Sequence, residues 1–229
     1  MHLLETGHYY SGPKLPSQEA FQYCVIWLHG LGASHGDFID LMPYLKLDRS
    51  KSIHFIFPQA PDRAITANNH MRMPAWYDIG GWDFETNARD ADIEGMQISI
   101  KQIHQLIAQQ IEKGIAPEQI IIGGFSQGGV IGLLSALAYP GVLAGAFGLS
   151  CYLPDLSAFN FSRPLKTPNI FMAHGQRDNL VPYSRGEAAK QQLALEWGAN
   201  IEWHSYAIEH TINLEESKTL GHWMNRQFK

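Results

Sequence analysis

Gly124-Phe125-Ser126-Gln127-Gly128 stands between an apolar run, Ile120 to Ile122, with the make-up of a β-strand and a small-residue run, Gln127 to Ala138, with the make-up of a helix. A serine that is to act as a nucleophile at a strand-to-helix turn must project from a bend too tight for side chains at its flanks, and G-x-S-x-G in this context meets that requirement. Glycines at 124 and 128 remove the β-carbons that would clash, and Gly129 lets the following helix pack closely. Ser126 would stand exposed at a helix N-terminus, whose partial positive charge favours the anion formed when a hydroxyl attacks a carbonyl. Taken alone the pentapeptide also occurs in ordinary loops; the strand before it and the helix after it give it weight.

Outward from this turn, strand-like and helix-like segments alternate, the pattern of a mostly parallel sheet covered on both faces. Strands are expected at Tyr23 to Leu28, Ile53 to Phe57, Ile120 to Gly124, Gly145 to Leu149, Asn169 to His174 and Ile201 to Tyr206. Helices are expected at Asp37 to Leu47, broken near Pro43, and at Asp90 to Lys113, Gln127 to Ala138, Ser184 to Trp197 and Glu215 to Phe228. In the second of these, Ile93, Met96, Ile100, Ile103, Ile107 and Ile111 recur at intervals of three and four, which puts them on one face. Asp62 to about Thr86 reads as a loop. The fold class is α/β, and the 229 residues suit a single domain over 1–229 with no large cap domain.

Composition narrows the function classes. Hydrophobic residues make up 45% and charged residues 17%, as in globular proteins, and a net charge of −5 offers no basic stripe for nucleic acid or anionic lipid. No segment approaches the ~18 apolar residues of a membrane span, and the first residues do not resemble a signal peptide, so stable membrane insertion is not expected and the location is expected to be cytoplasmic. Cys24 and Cys151 are far apart in apolar surroundings and read as buried thiols. No H-E-x-x-H or C-x-x-C is present, and neither a metal nor a cofactor is implied.

A serine nucleophile at such a turn needs a base and an orienting acid, in the chain order Ser, Asp or Glu, His. Of the histidines downstream, His204 falls mid-strand, His222 falls inside the last helix and His174 precedes the best acid, which leaves His210, in the loop between the last strand and the last helix. Asp178 follows the strand before His210 and is the acid; Asp155, its rival, suits a turn or a cap. An oxyanion hole takes one N–H from the residue after the nucleophile, Gln127, and one from a loop after an earlier strand. His29-Gly30-Leu31-Gly32 supplies that loop, and Leu31 is assigned the second N–H, with His29 as a structural hydrogen-bonding residue.

The ordered set His29-Gly30-Leu31-Gly32, Phe57-Pro58-Gln59-Ala60-Pro61, Trp76-Tyr77-Asp78, Gly124-Phe125-Ser126-Gln127-Gly128-Gly129, His174-Gly175 with Asp178 and Val181-Pro182, and His210 resembles the carboxylesterase/acyl-protein thioesterase family of small α/β-hydrolases, also called the phospholipase/carboxylesterase family. Met73-Pro74-Ala75-Trp76-Tyr77-Asp78-Ile79 is most similar to the bacterial carboxylesterase branch. The resemblance implies the α/β-hydrolase fold, Ser126, Asp178 and His210 as catalytic residues, and Leu31 and Gln127 as the hole. It implies short- to medium-chain acyl esters as substrates, with lysophospholipids and S-acylated proteins as alternatives, and allows a homodimer. Ala33, Cys151 and Glu209 depart from the family pattern and bear on substrate preference. Within the loop from Asn68 to Trp82, Met73, Trp76 and Trp82 are candidates for binding substrate in an acyl groove; the equal alternative is that the loop's apolar residues plug a satellite core. A peptidase or lactone hydrolase on the same fold, or a non-enzymatic interaction protein, are the competing functions.

Overall fold

The computed structural model describes residues 4–13, 21–81, 91–162 and 166–228. Its strands are β1 (Thr6–Ser11), β2 (Tyr23–Leu28), β3 (Ile53–Pro58), β4 (Asp62–Ile65), β5 (Met71–Pro74), β6 (Ile120–Phe125), β7 (Gly145–Leu149), β8 (Ile170–Gly175) and β9 (Ile201–Tyr206). Its α-helices are α1 (Ile93–Glu112), α2 (Gln127–Ala138), α3 (Tyr183–Trp197) and α4 (Leu214–Gln227). Seven strands form one sheet in the order β1-β3-β2-β6-β7-β8-β9, with only β1 antiparallel, and β4 and β5 form a separate antiparallel hairpin.

Period-two alternation divides each central strand between two cores. From β2, Cys24, Ile26 and Leu28 pack with α1, α2 and α3, while Tyr23, Val25 and Trp27 face the other way, toward α4 and a 3-10 helix at Ile39–Leu45. Both faces being covered, these strands read as continuous apolar runs in the sequence. α2 is the most enclosed helix, with every residue from Gln127 to Leu137 buried. It can sit there because a β-carbon on Gly132 would come within 2.6 Å of the Gly123 Cα, so the pair of glycines permits backbone-to-backbone approach.

The parallel register brings the carboxyl ends of the strands into line. Leu28 pairs with Gly124, Phe125 with Leu149, and Gly175 with Tyr206. The segments that follow β2, β6, β8 and β9 therefore all emerge on one edge of the sheet, and these carry Leu31, Ser126, Asp178 and His210.

Four features differ from the sequence reading. β1 was not expected, because its half-exposed residues Thr-Gly-His-Tyr-Tyr-Ser give no strong apolar alternation; its register against β3 makes it a strand. The expected loop from Asp62 contains the β4–β5 hairpin. The segment around Pro43 is a seven-residue 3-10 helix rather than a broken α-helix. Ile111 is 36% exposed while Gln110 is buried, because the chain folds back after α1 and Ile115, whose N–H donates to the Gln110 carbonyl at 3.1 Å, fills the core position. Asp90 and Trp82 lie outside the described residues; the observed cap of α1 is Asp92, which accepts from the Gly95 N–H at 2.8 Å.

α4 carries a buried acid in its first turn. Glu216 is fully buried, neither carboxylate oxygen has a partner in good hydrogen-bonding geometry among the described residues, and only the Asn213 backbone N–H partly offsets the burial. Burial pushes its pKa up from 4.5 to about 8. A folded-state value above the unfolded one means that the folded chain holds a proton which the unfolded chain has released, so this group lowers stability progressively as pH rises from 4.5 to 8. Glu216→Gln removes that dependence. Thermal melts should show a gain in Tm over wild type that is small at pH 5 and grows through pH 8; a gain independent of pH would mean that the acid does not titrate in this way.

Candidate active site

β6 ends in the turn that exposes Ser126, whose backbone lies at φ 53, ψ −123, a strained combination for a residue with a side chain. Conformations of this kind cost about 1–3 kcal/mol and persist only where the surroundings enforce them. Here the Ser126 N–H donates to the Leu149 carbonyl at 2.8 Å and its carbonyl accepts from the Val130 N–H at 3.1 Å, so β7 and α2 hold both sides of the residue. The flanking glycines clear the space: a β-carbon at 124 would lie 2.4 Å from the Leu28 carbonyl oxygen, and one at 128 would lie 2.4 Å from those of Leu28 and His29.

Ser126 Oγ lies 2.9 Å from His210 Nε2, and His210 Nδ1 lies 2.7 Å from Asp178 Oδ2. A carboxylate only accepts, so Nδ1 carries the proton and Nε2 is left to accept from the serine hydroxyl. Phe125 packs against the His210 ring with centroids 4.7 Å apart. The other Asp178 oxygen, Oδ1, accepts from the N–H groups of Leu180 at 3.0 Å and Val181 at 2.8 Å. Burial works against the Asp178 charge, but hydrogen bonds from His174, His210 and the Val181 N–H outweigh it and hold the carboxyl well below the usual carboxylate range. Asp178 therefore stays ionised throughout the neutral range, as an acid that orients and stabilises an imidazolium must. Asp155 caps the 3-10 turn Leu156–Ala158 instead, accepting from the Ser157 N–H. His204 sits in β9 beside Glu202, and His222 is exposed on α4.

Across the elbow, the His29 Nδ1 donates to the Gly30 carbonyl at 2.7 Å while its Nε2 accepts from the Ala60 N–H at 3.0 Å. Burial lowers the pKa of this imidazole, which suits a neutral ring with a fixed tautomer. The Gly30 carbonyl also accepts from the Ala33 N–H at 3.2 Å. Its peptide plane is thereby fixed, and the Leu31 N–H on the opposite side of that plane has no acceptor among the described residues. Gln127 is the first residue of α2, so its N–H has no intrahelical partner either. Leu31, Ser126 and Gln127 line the same cavity.

The Gln127 side chain has a second task that its sequence position did not reveal. Its Oε1 accepts from the Trp76 N–H at 2.7 Å and its Nε2 donates to the Tyr77 carbonyl at 2.8 Å, tying the 76–77 segment to the elbow. The Trp76 indole N–H donates to the His29 carbonyl at 2.8 Å, and its carbonyl accepts from Ser99. Trp76 is fully buried and does not line the cavity, so at this residue the plug and not the acyl groove is observed. Met73 is half-buried, with Asn68 against its sulfur, and is not part of the cavity wall. Trp82 lies outside the described residues.

The cavity has a volume of about 440 Å³. Phe38, Leu41, Phe125 and Ile212 line it on the α4 side, Tyr77, Ile79 and Tyr152 on the α1 side, and Leu180 and Val181 at its rim. Among these, Tyr77, Ile79, Phe125 and Val181 lie within motifs quoted from the sequence, whereas Phe38, Leu41, Leu180 and Ile212 carry no such signal, and spacing could not have collected them. Tyr77 and Tyr152 place their hydroxyls 2.9 Å apart, and Asp37 and Thr211 add further polar groups to a lining whose other members beyond Ser126, Gln127 and His210 are apolar. Ala33 lines the cavity, while Glu209 is exposed beside His210.

A family profile described as Phospholipase/Carboxylesterase matches residues 15–226. The chain belongs to the phospholipase/carboxylesterase family. Within this family it is 35% identical to acyl-protein thioesterase 1 of Gibberella zeae, over 93% of each chain. It is 41% identical to acyl-protein thioesterase 1 of Saccharomyces cerevisiae over 73% of this chain and 75% of that one. Among solved structures, the carboxylesterase SOBER1 of Arabidopsis thaliana superimposes with a TM-score of 0.83 at 31% identity, covering 90% of this chain and 99% of the other. The fold is thus the α/β-hydrolase fold of this family, and among the described residues no helix is long and apolar enough to cross a membrane.

Gln127→Ala keeps the backbone N–H but orphans the Trp76 N–H and the Tyr77 carbonyl. Each unsatisfied buried group costs about 1–3 kcal/mol, so the variant should unfold at distinctly lower denaturant and react more slowly with a fluorophosphonate. An unchanged unfolding midpoint would show that the 76–77 segment is held without this side chain.

Proposed function

We propose that the chain is a serine hydrolase that cleaves carboxylic esters and thioesters of short- to medium-chain acyl groups, with Ser126 as nucleophile, His210 as general base and acid, and Asp178 as the orienting acid. The observation that carries this reading is the unbroken line from Ser126 Oγ through His210 to Asp178, at 2.9 and 2.7 Å, in a cavity also lined by Leu31 and Gln127, whose N–H groups have no acceptor among the described residues.

In the first step Ser126 Oγ attacks the acyl carbonyl carbon while its proton passes to His210 Nε2. The carbonyl electron pair moves to oxygen, and the Leu31 and Gln127 N–H groups receive the oxyanion. Asp178 holds Nδ1–H and stabilises the imidazolium without taking its proton. The bond to the alcohol or thiol breaks, the leaving group takes the proton from Nε2, and an acyl-serine remains. Water then gives a proton to Nε2 as its oxygen attacks, and the acid departs as Ser126 regains its hydrogen.

Acyl-protein thioesterase activity is the second reading, favoured by the names of the fungal relatives; a lysophospholipid is the corresponding lipid-like substrate. One domain over residues 1–229 and a cytoplasmic location belong to the proposal as expectations, the location supported by two cysteines that are buried as free thiols; the family resemblance also allows a homodimer.

A p-nitrophenyl ester series from acetate to palmitate tests the reading, with a lysophospholipid and an S-acylated peptide alongside. Ser126→Ala should lose on the order of 10⁶ in kcat and Asp178→Asn about 10⁴, on whichever substrates wild type turns over. Full turnover in folded Ser126→Ala would sink the proposal.

A further inference from the structure

His174 plays no part in the chemistry described so far, yet it is fully buried at the end of β8, one strand position before Gly175. Its Nε2 lies 2.9 Å from the Val181 carbonyl oxygen and 3.4 Å from Asp178 Oδ2. Both neighbours are acceptors, so the proton sits on Nε2 and is directed into the angle between them. Nδ1 has no partner among the described residues. Gly186 of α3 closes that side, since a β-carbon there would lie 2.3 Å from Nδ1. A proton on Nδ1 would find no acceptor, so Nε2–H is the donor the surroundings accommodate. Trp203 of β9 stacks on the ring and Tyr183 of α3 meets it edge-on, so its plane is set from both elements.

The donor faces the turn that carries the acid. Val181 is held at both ends, its N–H by Asp178 Oδ1 and its carbonyl by His174. The terminal torsion of an aspartate is broad and close to two-fold, so backbone packing alone does not choose which way the carboxylate faces. Two backbone donors on Oδ1 and the His210 donor on Oδ2 fix it, with His174 Nε2 approaching Oδ2 at 3.4 Å while it bonds the Val181 carbonyl.

We propose that His174 is a positioning residue for the reaction: its Nε2–H pins the 178–181 turn and shares Asp178 Oδ2 with His210, keeping the carboxylate in the rotamer from which it holds the His210 tautomer. This rests on the assignment of Ser126, His210 and Asp178, and goes beyond it by giving the His-Gly-x-x-Asp spacing a physical purpose.

The test compares His174→Gln, which keeps an N–H donor at similar reach, with His174→Met, which has the same length and none. Each is read by thermal melting, by ester kcat and KM, and by the downfield proton resonance of His210 Nδ1–H, assigned through its loss in His210→Gln. With His174→Met, kcat should fall about 10- to 100-fold, the size of effect expected of a small misplacement, with KM within about two-fold. The downfield resonance should shift or broaden in step. His174→Gln should recover most of both. Equal kcat and an unmoved resonance in folded Gln and Met variants would overturn the proposal. If wild type shows no Ser126-dependent turnover the catalytic assignment fails, whereas the resonance still reports the Asp178–His210 bond and so decides the role of His174 by itself.

Discussion

The whole site depends on one close approach, that of the β6–α2 turn to the end of β2. At Gly124 and Gly128 the elbow lies against the carbonyls of Leu28 and His29 with no space for a side chain. This contact lets Ser126 occupy its strained backbone conformation, and it sets α2 with its N-terminus beneath the hydroxyl. It also joins the elbow to the loop that carries Leu31. Ser126 and the Leu31 and Gln127 N–H groups, the proposed nucleophile and hole donors, are therefore parts of one junction between two adjacent parallel strands.

Around that junction lies a polar frame sealed from water. His29 fixes the Gly30 peptide, Trp76 holds the His29 carbonyl, and Gln127 holds Trp76 and Tyr77. Each group is buried and satisfied by the next, which makes the arrangement stiff, because a broken link leaves a buried donor or acceptor alone. Pre-aimed N–H groups are worth most in such a site, where they need not reorganise as charge develops on the substrate oxygen. Asp178 and its turn form a comparable frame on the opposite side of His210.

Much of this was legible in the residues. Tyr23 to Leu28 and Gly145 to Leu149 appear as strands with the bounds expected, since strands buried on both faces are continuous apolar runs. Ser126, Asp178 and His210 were singled out by chain order and loop position, and the structure brings them within hydrogen-bonding distance. β1 and the β4–β5 hairpin were not legible, because half-exposed residues leave no periodic trace, and the pairing partner of β1 lies elsewhere in the chain. The 68–82 loop was read two ways from its apolar content alone, and composition cannot say which face of Trp76 is covered.

What the sequence determined by itself is local: the glycines that a tight turn requires, the period of the apolar residues, and the order of the chemically able side chains. These follow from sterics and hydrophobic patterning within a few residues, so they can be read without the fold. Tertiary structure alone decided which carbonyl His174 faces, that Gln127 braces Trp76, and that Phe38, Tyr152 and Ile212 share a cavity. Those contacts join residues distant in the chain, and their geometry is set by the alignment of parallel strands, a property that no single segment carries.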